Sequence, residues 1–510
     1  MKKQTFLKNA ALLTITTFIT RSLSVWFRVI ISQKIGSEGV GLLSLIFSVY
    51  AFFATFATTG ITLTVTRMVT DALALKQNGN AKFIVKRCLI IGILISSITG
   101  IVLFMNSSFI GNAYLKDERT ILSLKILSVS LPFMATSACL RGYFFAKRQA
   151  LKTASEQLLE QIIEMAVFLV LINLTGTVVS LGFGCCLLII GTTAAEVLSF
   201  FYSMMLYYLD IRKTREKSEK ISSFYKKATL IGIPVTLSAC LRSGLSSIEN
   251  VLIPSGLKKY GADSEKALSQ YGQIIGMVMP VLGFPNVFLY CFSQLMIPEM
   301  SEAKISRHSK GIQYMAGRIF RFSLFFSLPV SGIFIFFGMQ LGNLIYNSPD
   351  AGFYIQTLAP IIPFLYLDQV VDGMLKGLNE QMHYLMCNIL DSIIRVSLAF
   401  LLLPLTGTKG VIIIIFISGI LNSGLSISRL LKVAEVKVNW TNWFIKPIIG
   451  IVSIGFLTKY ISFGSLMINT VLKITIFSVL YIIYMIICKS INKEELHWLK
   501  NLFVEHRISL

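Results

Sequence analysis

The chain has 510 residues, of which 54% are hydrophobic and 14% charged, and its formal net charge is +22. A soluble globular protein carries about 25% charged residues, so this composition excludes a soluble domain and indicates an integral membrane protein. The positive charge would also suit nucleic acid, but in a membrane chain an excess of Lys and Arg marks the cytoplasmic loops, so we expect no nucleic-acid partner.

The apolar segments are about 20 residues long and do not alternate with polar residues, which predicts helices and not a β-barrel. Fourteen of them are long enough to cross a hydrocarbon core of about 30 Å. The segments are 8–31, 41–66, 84–105, 121–145, 156–174, 178–208, 226–253, 271–296, 318–345, 355–376, 383–404, 410–431, 444–461 and 466–488. We therefore predict an all-α polytopic membrane protein with about 14 transmembrane helices.

Lys and Arg residues concentrate in alternate connections between these segments, including the start of the chain and its tail. This distribution predicts that both termini are cytoplasmic, in agreement with an even number of spans. The start, MKKQTFLK, imitates a signal peptide. No small-residue cleavage site follows and Arg21 interrupts the apolar run, so we expect this segment to be retained.

The two halves of the chain contain an internal repeat. A shift of 231 positions aligns five short matches in order, and the first helices align at a shift of 221 because of an insertion within 254–270. The aligned positions are 174–177 with 405–408, 160–164 with 391–395, Pro132 with Pro363, Gly142 with Gly373, Gly41 with Gly272, Arg21 with Arg242 and Arg28 with Glu249. Six helices in each repeat predict two parallel, pseudo-twofold lobes with a pathway between them.

We accordingly predict five regions along the chain. They are an N-terminal six-helix lobe at 1–209, a cytoplasmic linker at 210–225, a C-terminal six-helix lobe at 226–440, two extra transmembrane helices at 441–488 and a cytoplasmic tail at 489–510. The charged linker would also suit binding to anionic lipid, but a solvated connection between the lobes is the favoured interpretation.

Arginine residues inside the first helix are the strongest functional signal. An arginine at the bilayer centre costs about 2.5–3.5 kcal/mol on insertion scales, so a simple anchor has no reason to contain Arg21 and Arg28. They lie seven residues apart with Ser24 on the same face. With Arg242 they predict a cationic cavity that binds phosphate oxygens, in which Arg21 is the leading candidate. The alternatives are that Arg242 pairs with Glu249 and that Arg28 extends to the outer interface.

Acidic residues inside the predicted spans form a second candidate set. Glu249, Asn388 and Asp391 would supply oxygen ligands to a coupled sodium ion, and intramembrane acids also mark proton pathways. The favoured alternative is charge pairing with arginines, for example between Asp391 and Arg395. Glu164 belongs to the same set of residues for ion coupling or charge pairing.

Sequence motifs for catalysis and cofactor binding are missing. The chain contains no GxxxxGK[ST] loop, no HExxH and no GxSxG elbow after a predicted strand. The eight cysteines have no CxxC spacing and lie mostly in apolar runs, which indicates small buried side chains. We therefore predict a protein that is not an enzyme, with no metal site and no cofactor other than a coupling ion, sodium or proton.

Three stretches show a family resemblance: KNAALLTITTFITRSLSVWFRVIISQKIGSEGVGLLSL, LPFMATSACLRGYFFAKRQ and ASEQLLEQIIE. They resemble the stage V sporulation protein B type of polysaccharide exporters and the lipid II flippases, within the multidrug/oligosaccharidyl-lipid/polysaccharide (MOP) exporter superfamily. The resemblance covers the whole chain, including six plus six helices and two extra ones.

The resemblance implies a V-shaped pair of lobes in the bacterial cytoplasmic membrane that moves an undecaprenyl-pyrophosphate-linked saccharide, with membrane lipids and cell-wall synthesis proteins as partners. Arginines on the first helix of the lipid II flippases line the cavity, and Arg21 and Arg28 are the matching positions. Glu164 departs from the pattern, because relatives often have a basic residue there.

Three functional hypotheses follow. The first is a flippase for lipid II or a related cell-wall, spore-envelope or polysaccharide precursor, which works by alternating access and is driven by membrane potential, an ion gradient or substrate depletion. The second is a multidrug or cation antiporter on the same fold, which would favour acids around its cavity. The third is a scaffold for a cell-wall synthase, which predicts that arginine substitutions leave precursor transport intact.

Overall fold

The computed structural model describes residues 2–75, 77–175, 180–212, 224–305, 309–436, 438–461, 464–488 and 490. Every regular element within these ranges is a helix. The helices are α1 (Lys2–Ala74), α2 (Asn78–Phe109), α3 (Thr120–Ala146), α4 (Ala150–Thr175), α5 (Leu181–Ile211), α6 (Phe224–Tyr260), α7 (Ser264–Tyr271), α8 (Met279–Gly283), α9 (Asn286–Ile305), α10 (Ser309–Tyr346), α11 (Pro349–Leu358), α12 (Ile362–Gly377), α13 (Gln381–Thr406), α14 (Thr408–Ala434), α15 (Lys446–Lys459) and α16 (Leu466–Ile487).

Twelve helices of the described ranges are long and apolar enough to cross a membrane. The first of them, Ile15–Ala74, has 60 residues, which corresponds to about 90 Å and therefore to more than one crossing. The backbone at Gly36 has φ 71° and ψ 179° and divides α1 into two spans. Ser264–Gly283 and Asn286–Ser293, bent by 60°, together make one more span. Each of the fourteen predicted segments thus coincides with one span, which confirms the predicted fold class.

The break at Gly36 determines the course of the first two spans. A φ of 71° with an extended ψ belongs to a region that almost only glycine adopts, because a Cβ there would clash with the backbone. No atom lies within 4 Å of the place where a Cβ at Gly36 would sit. The glycine is therefore required by the backbone conformation and not by close packing.

The helices form two compact units. The first contains the chain up to Met277 together with Ile389–Ile414, and the second contains Val278–Asn388 and the chain from Ile415 on. The predicted lobe boundaries, and the cytoplasmic position of both termini, stay predictions. Most of the predicted linker, and nearly all of the predicted tail, lie outside the described residues.

Small residues bring the helices of the first unit close together. A Cβ on Gly142 of α3 would lie 2.7 Å from the Thr62 carbonyl oxygen of α1, and a Cβ on Gly100 of α2 would lie 2.7 Å from the Ser128 carbonyl oxygen of α3. Such small residues let membrane helices pack through their backbones. The core beside these contacts is apolar and includes Val65, Leu140 and Phe144.

In the second unit, the two extra helices pack against α10. Gly332 of α10 faces Ile451 of α15 and Phe477 of α16. The ring of Phe337 meets that of Phe477 edge to face at 6.0 Å. Lys473 of α16 is 5% exposed, and its ammonium group donates at 3.3 Å to the Lys459 carbonyl oxygen at the end of α15, where the helix dipole favours a cation.

Candidate functional site

A cavity of about 510 Å³ lies in the first unit, among both halves of α1, α4, α5, α6, α7 and the π-helical segment Gly272–Val278 that follows α7. Its polar wall includes Ser24, Arg28, Gln161, Glu164, Ser246 and Asn250, and its apolar wall includes Phe27, Leu43 and Phe47. The helices that form it come from both predicted repeats. A concave space with a polar and an apolar wall, at the contact of two repeats, is a typical position for a transporter's binding site.

Helical spacing explains which side of α1 enters the cavity wall. Ser24, Arg28 and Ile31 line the cavity, and their separations of four and three residues put them on one helix face. Arg21 precedes Ser24 by three residues; it is exposed, as Arg28 is, but it does not line the cavity. The structure therefore brings Ser24 and Arg28 together in the cavity wall, whereas Arg21 lies about one turn further along the same face.

Arg242 occupies a similar position on α6. It is exposed and directly precedes Ser243, which lines the cavity together with Ser246 and Asn250. Of the three arginines predicted to form a cationic lining, Arg28 is the one in the cavity wall. Arg21 lies one turn away on α1, and Arg242 is the residue before the lining residue Ser243 on α6. The binding roles of all three arginines stay predictions.

Glu164 places a carboxyl group in the same cavity as Arg28. Both side chains line the cavity and attract each other electrostatically. The Thr192 hydroxyl donates to Glu164 Oε1 at 2.8 Å, and the Gln161 amide donates to Oε2 at 3.3 Å. The Ser24 hydroxyl donates to Gln161 Oε1 at 2.6 Å. The cavity is therefore not purely cationic, as the departure at Glu164 indicated.

The remaining charged candidates form an ion-pair cluster. Arg395 Nη1 lies 3.2 Å from Glu249 Oε2, and Arg395 Nε lies 3.2 Å from Asp391 Oδ2. The expected pair of Asp391 with Arg395 is present, but the expected partner of Glu249, Arg242, is replaced by Arg395. Asn388 belongs to the second unit, where its side chain donates to the Tyr384 carbonyl oxygen at 2.8 Å.

No group of three or more His, Cys, Asp or Glu side chains that could hold a metal ion occurs among the described residues. The proposed sodium ligands, and the identity of the coupling ion, stay predictions.

Several residues of the site were missed by the sequence analysis. Gln161 connects Ser24 to Glu164, and Ser243, Ser246 and Asn250 form one polar face of α6. The signal on α6 was available, because these three residues are separated by three and four positions. No comparable signal marks Gln161, since a lone glutamine on a membrane helix has no characteristic spacing.

Two close contacts between helices flank the cavity along the second half of α1. At one, the repeat-related Gly41 and Gly272 meet, since a Cβ on Gly272 would lie 2.6 Å from the Gly41 nitrogen. The Ser37 and Ser269 hydroxyls share a hydrogen bond of 2.6 Å beside them. At the other, a Cβ on Gly60 would lie 2.9 Å from the Gly232 carbonyl oxygen of α6. These contacts join the two repeats on both sides of the cavity.

A charged group outside the spans fixes the loop before α3. Arg119 binds Asp117 at 2.7 Å and Glu38 at 2.8 Å. The hydrogen bonds that Arg119 donates to Asp117, and then the one it donates to Glu38, raise the pKa of Arg119 above its ordinary value. The guanidinium thus ties this loop to the start of the second half of α1.

Comparison with known proteins gives consistent relatives. The model of a family described as polysaccharide biosynthesis protein matches residues 6–304. Stage V sporulation protein B of Bacillus subtilis (strain 168) is 26% identical over 514 residues, covering 97% of this chain and 98% of that protein.

Two solved structures have a similar fold. The inward closed conformation of the lipid II flippase MurJ has a TM-score of 0.69 and 14% identity, covering 93% of this chain and 98% of that one. An inward-facing multidrug resistance MATE family transporter of the MOP superfamily has a TM-score of 0.64 and 14% identity, covering 84% of this chain and 100% of that one.

Proposed function

Because the chain belongs to the polysaccharide biosynthesis protein family, we propose that it translocates an undecaprenyl-pyrophosphate-linked saccharide across the cytoplasmic membrane. Lipid II or a related cell-wall, spore-envelope or polysaccharide precursor is the proposed cargo. The protein acts as a transporter that works by alternating access, with no catalytic step. The similarity to stage V sporulation protein B and to the fold of a lipid II flippase supports this assignment.

The observation that carries the proposal is the cavity of about 510 Å³ with Arg28 in its wall. A guanidinium binds phosphate oxygens through two parallel hydrogen bonds, and it does so most strongly away from water. Ser246 and Asn250 provide hydroxyl and amide groups for the saccharide. Arg21 and Arg242, which follow the same helix faces beyond the cavity, attract the pyrophosphate on its way in. The apolar tail stays in the lipid.

Alternating access requires that the repeats separate on one side of the cavity at a time. This separation takes place at two contacts between the repeats, that of Gly41 with Gly272 and that of Gly60 with Gly232. Glycine contacts suit this role because backbone surfaces can part without breaking ion pairs.

The test is a translocation assay with the purified full chain in vesicles of phosphatidylglycerol and phosphatidylethanolamine. The cargo is a fluorescent undecaprenyl-pyrophosphate disaccharide, and the readout is its accessibility to an external quencher. Replacing Arg28 with Ala removes charge-assisted hydrogen bonds of roughly 1.5–3 kcal/mol, so translocation should slow roughly 10–100-fold. Arg28→Lys should be intermediate, because a point charge lacks the bidentate geometry.

Arg212→Ala provides the matched control, because Arg212 is exposed at the end of α5 and lies over the Tyr208 ring at 4.3 Å, away from the cavity. It should translocate like the unmodified protein. Undiminished translocation by Arg28→Ala would overturn the proposal and favour the scaffold hypothesis.

The buried acids favour one competing function, a multidrug or cation antiporter. Glu156 and Glu196 are 0% and 6% exposed, and the MATE-family fold similarity supports the same reading. The same vesicles separate the two functions, because an antiporter would move a lipophilic cationic dye against a proton gradient and a flippase would not.

A further inference from the structure

In the proposed function, Arg28 binds the anionic head group of the cargo. The carboxyl group of Glu164 lies in the same cavity. Arg28 and Glu164 line the same cavity and attract each other. An incoming phosphate therefore competes with Glu164 for one guanidinium. Resting on the proposed function, we propose that Glu164 takes up one proton when an anionic head group pairs with Arg28, so that the cavity binds a proton together with its anion.

Neutral hydrogen-bonding groups hold Glu164 in place. Thr192 donates to one carboxylate oxygen at 2.8 Å and Gln161 donates to the other at 3.3 Å. Gln161 is itself fixed by Ser24 at 2.6 Å. A carboxylic acid keeps acceptor capacity on its oxygens and adds one donor, so these neutral partners accommodate both protonation states. Glu164 can therefore gain a proton without leaving its position.

The charges around Glu164 disfavour a negative charge on its side chain once a phosphate is bound at Arg28. Glu160, one turn earlier on α4, and Glu196 of α5 both repel a negative charge on Glu164. Arg141 of α3 is occupied, since it lies 2.8 Å from Glu156 and 4.0 Å from Glu160. When a phosphate engages Arg28, Glu164 loses the cation that attracts it. Burial and the neighbouring acids then favour the neutral form of the side chain.

Apart from Arg28 of α1 and Glu196 of α5, the groups that face Glu164 from the other elements are neutral. From α1, Tyr50 donates to Glu196 at 2.9 Å and 3.0 Å. From α6 and α7, the cavity wall presents Ser246, Asn250 and Tyr271. None of these side chains supplies a positive charge in place of Arg28.

A buried oxygen on the same face of α4 independently points to a proton. Glu156, Glu160 and Glu164 are four residues apart and lie on one helix face. Glu156 and Ser203 are both 0% exposed and adjacent, but the contact of Glu156 Oε2 with the Ser203 hydroxyl falls short of full hydrogen-bond geometry. A buried carboxylate oxygen without a donor is unfavourable when ionised, whereas a proton on it could be donated to Ser203. This row of acids is therefore suited to holding protons.

The experiment measures proton uptake directly. Farnesyl pyrophosphate, a soluble polyprenyl pyrophosphate, is titrated into the full chain in lipid nanodiscs by calorimetry between pH 6 and pH 8.5. Two buffers with different ionisation enthalpies give the number of protons taken up. For linkage to one proton, the affinity should fall about tenfold for each pH unit over the range in which Glu164 is ionised before binding and neutral after it.

Replacing Glu164 with Gln should remove this proton uptake and leave the affinity near its low-pH value, within about twofold. The probe's own phosphate titrates equally with both proteins, so the difference between them reports Glu164. Glu118→Gln, in an exposed turn between α2 and α3, is the matched control and should behave like the unmodified protein. Equal proton uptake by the unmodified protein and Glu164→Gln would overturn the proposal.

Thr192→Val provides a second, independent variant that keeps the carboxyl group. Losing one donor to the carboxylate should move the pH at which binding tightens upward, and an unchanged pH profile would contradict the proposal even if Glu164→Gln does not fold. Arg28→Ala separates the two proposals. If Arg28→Ala binds the probe normally, the proposed function fails at this site. If Arg28→Ala abolishes binding while Glu164→Gln takes up protons normally, the proton coupling alone is wrong.

Discussion

The two repeats contain the same pair of charges with the signs exchanged. Arg28 aligns with Glu249, and Glu164 aligns with Arg395. In the second repeat the pair is closed, since Arg395 lies 3.2 Å from Glu249 and 3.2 Å from Asp391. In the first repeat the pair lines a cavity of about 510 Å³. The same aligned positions thus form an ion-pair cluster in the second repeat and part of a cavity wall in the first repeat.

This difference indicates that the charged residues of the second repeat have a structural role and those of the first repeat a role in binding. Arg395 directs its donors to two carboxylates, and a cluster of two acids and one arginine repels an anionic head group. Glu164 is held by the neutral donors Thr192 and Gln161, and the Arg28 side chain lines the cavity. We infer that the ion-pair cluster of the second repeat stabilises packing, whereas Arg28 of the first repeat is exposed and lines a cavity that a ligand can enter.

Removing the arginine of the closed pair should have the largest effect on stability. Arg395→Ala leaves Glu249 and Asp391 without their cation, and breaking a buried pair in this way costs about 3–5 kcal/mol. We expect a lower melting temperature of the detergent-purified protein, measured by the fluorescence of its tryptophans.

The opposite order of the two charges in the first repeat provides a control for the Arg395→Ala variant. Arg395→Glu alone should be at least as destabilising as Arg395→Ala, and adding Glu249→Arg should recover much of the loss, because the first repeat uses that arrangement. A fully stable Arg395→Ala variant would contradict the assignment of this cluster to packing.

A substitution at Gly272, which changes no charge, tests whether stability depends on the close contact of Gly272 with α1. A Cβ on Gly272 would overlap the Ser37 carbonyl oxygen and lie 2.6 Å from the Gly41 nitrogen. These are backbone atoms that cannot move aside easily, so Gly272→Ala should destabilise the protein by about 1–3 kcal/mol. Gly283→Ala is the control, because no atom lies within 4 Å of its Cβ position. Equal melting temperatures for the two variants would refute the close contact.

The fourteen spans could be predicted from the sequence because length and hydropathy are local properties. The repeat alignment also identified the positions at which Gly41 and Gly272 meet. Pairing across long stretches was not predictable in this way. Glu249 and Arg395 belong to different helices far apart in the chain, and their contact depends on how those helices turn about their axes.

The choice between Arg21 and Arg28 shows the same limit. Their spacing of seven residues places both on one face of α1, so periodicity cannot distinguish them. The break at Gly36 divides α1 into two halves that both line the cavity, and Arg28 is the arginine of the first half that lies in that wall. The position of the break follows from one backbone conformation, which a glycine permits but does not by itself require.

The smallest expected effect concerns the hydrogen bond that joins the two helices beside the cavity charge. Ser22 and Ser24 both donate to a carbonyl oxygen of their own helix, at 2.9 Å and 2.8 Å, but Ser24 also reaches Gln161 at 2.6 Å. Ser24→Ala should therefore cost about 0.5–1.5 kcal/mol and slow translocation roughly 2–10-fold, because Gln161 and then Glu164 lose their fixed positions. Ser22→Ala should change neither quantity. If both variants translocate equally, the position of Glu164 does not depend on the hydrogen bond from Ser24 to Gln161. In that case, cargo binding in the first repeat depends on Arg28 alone.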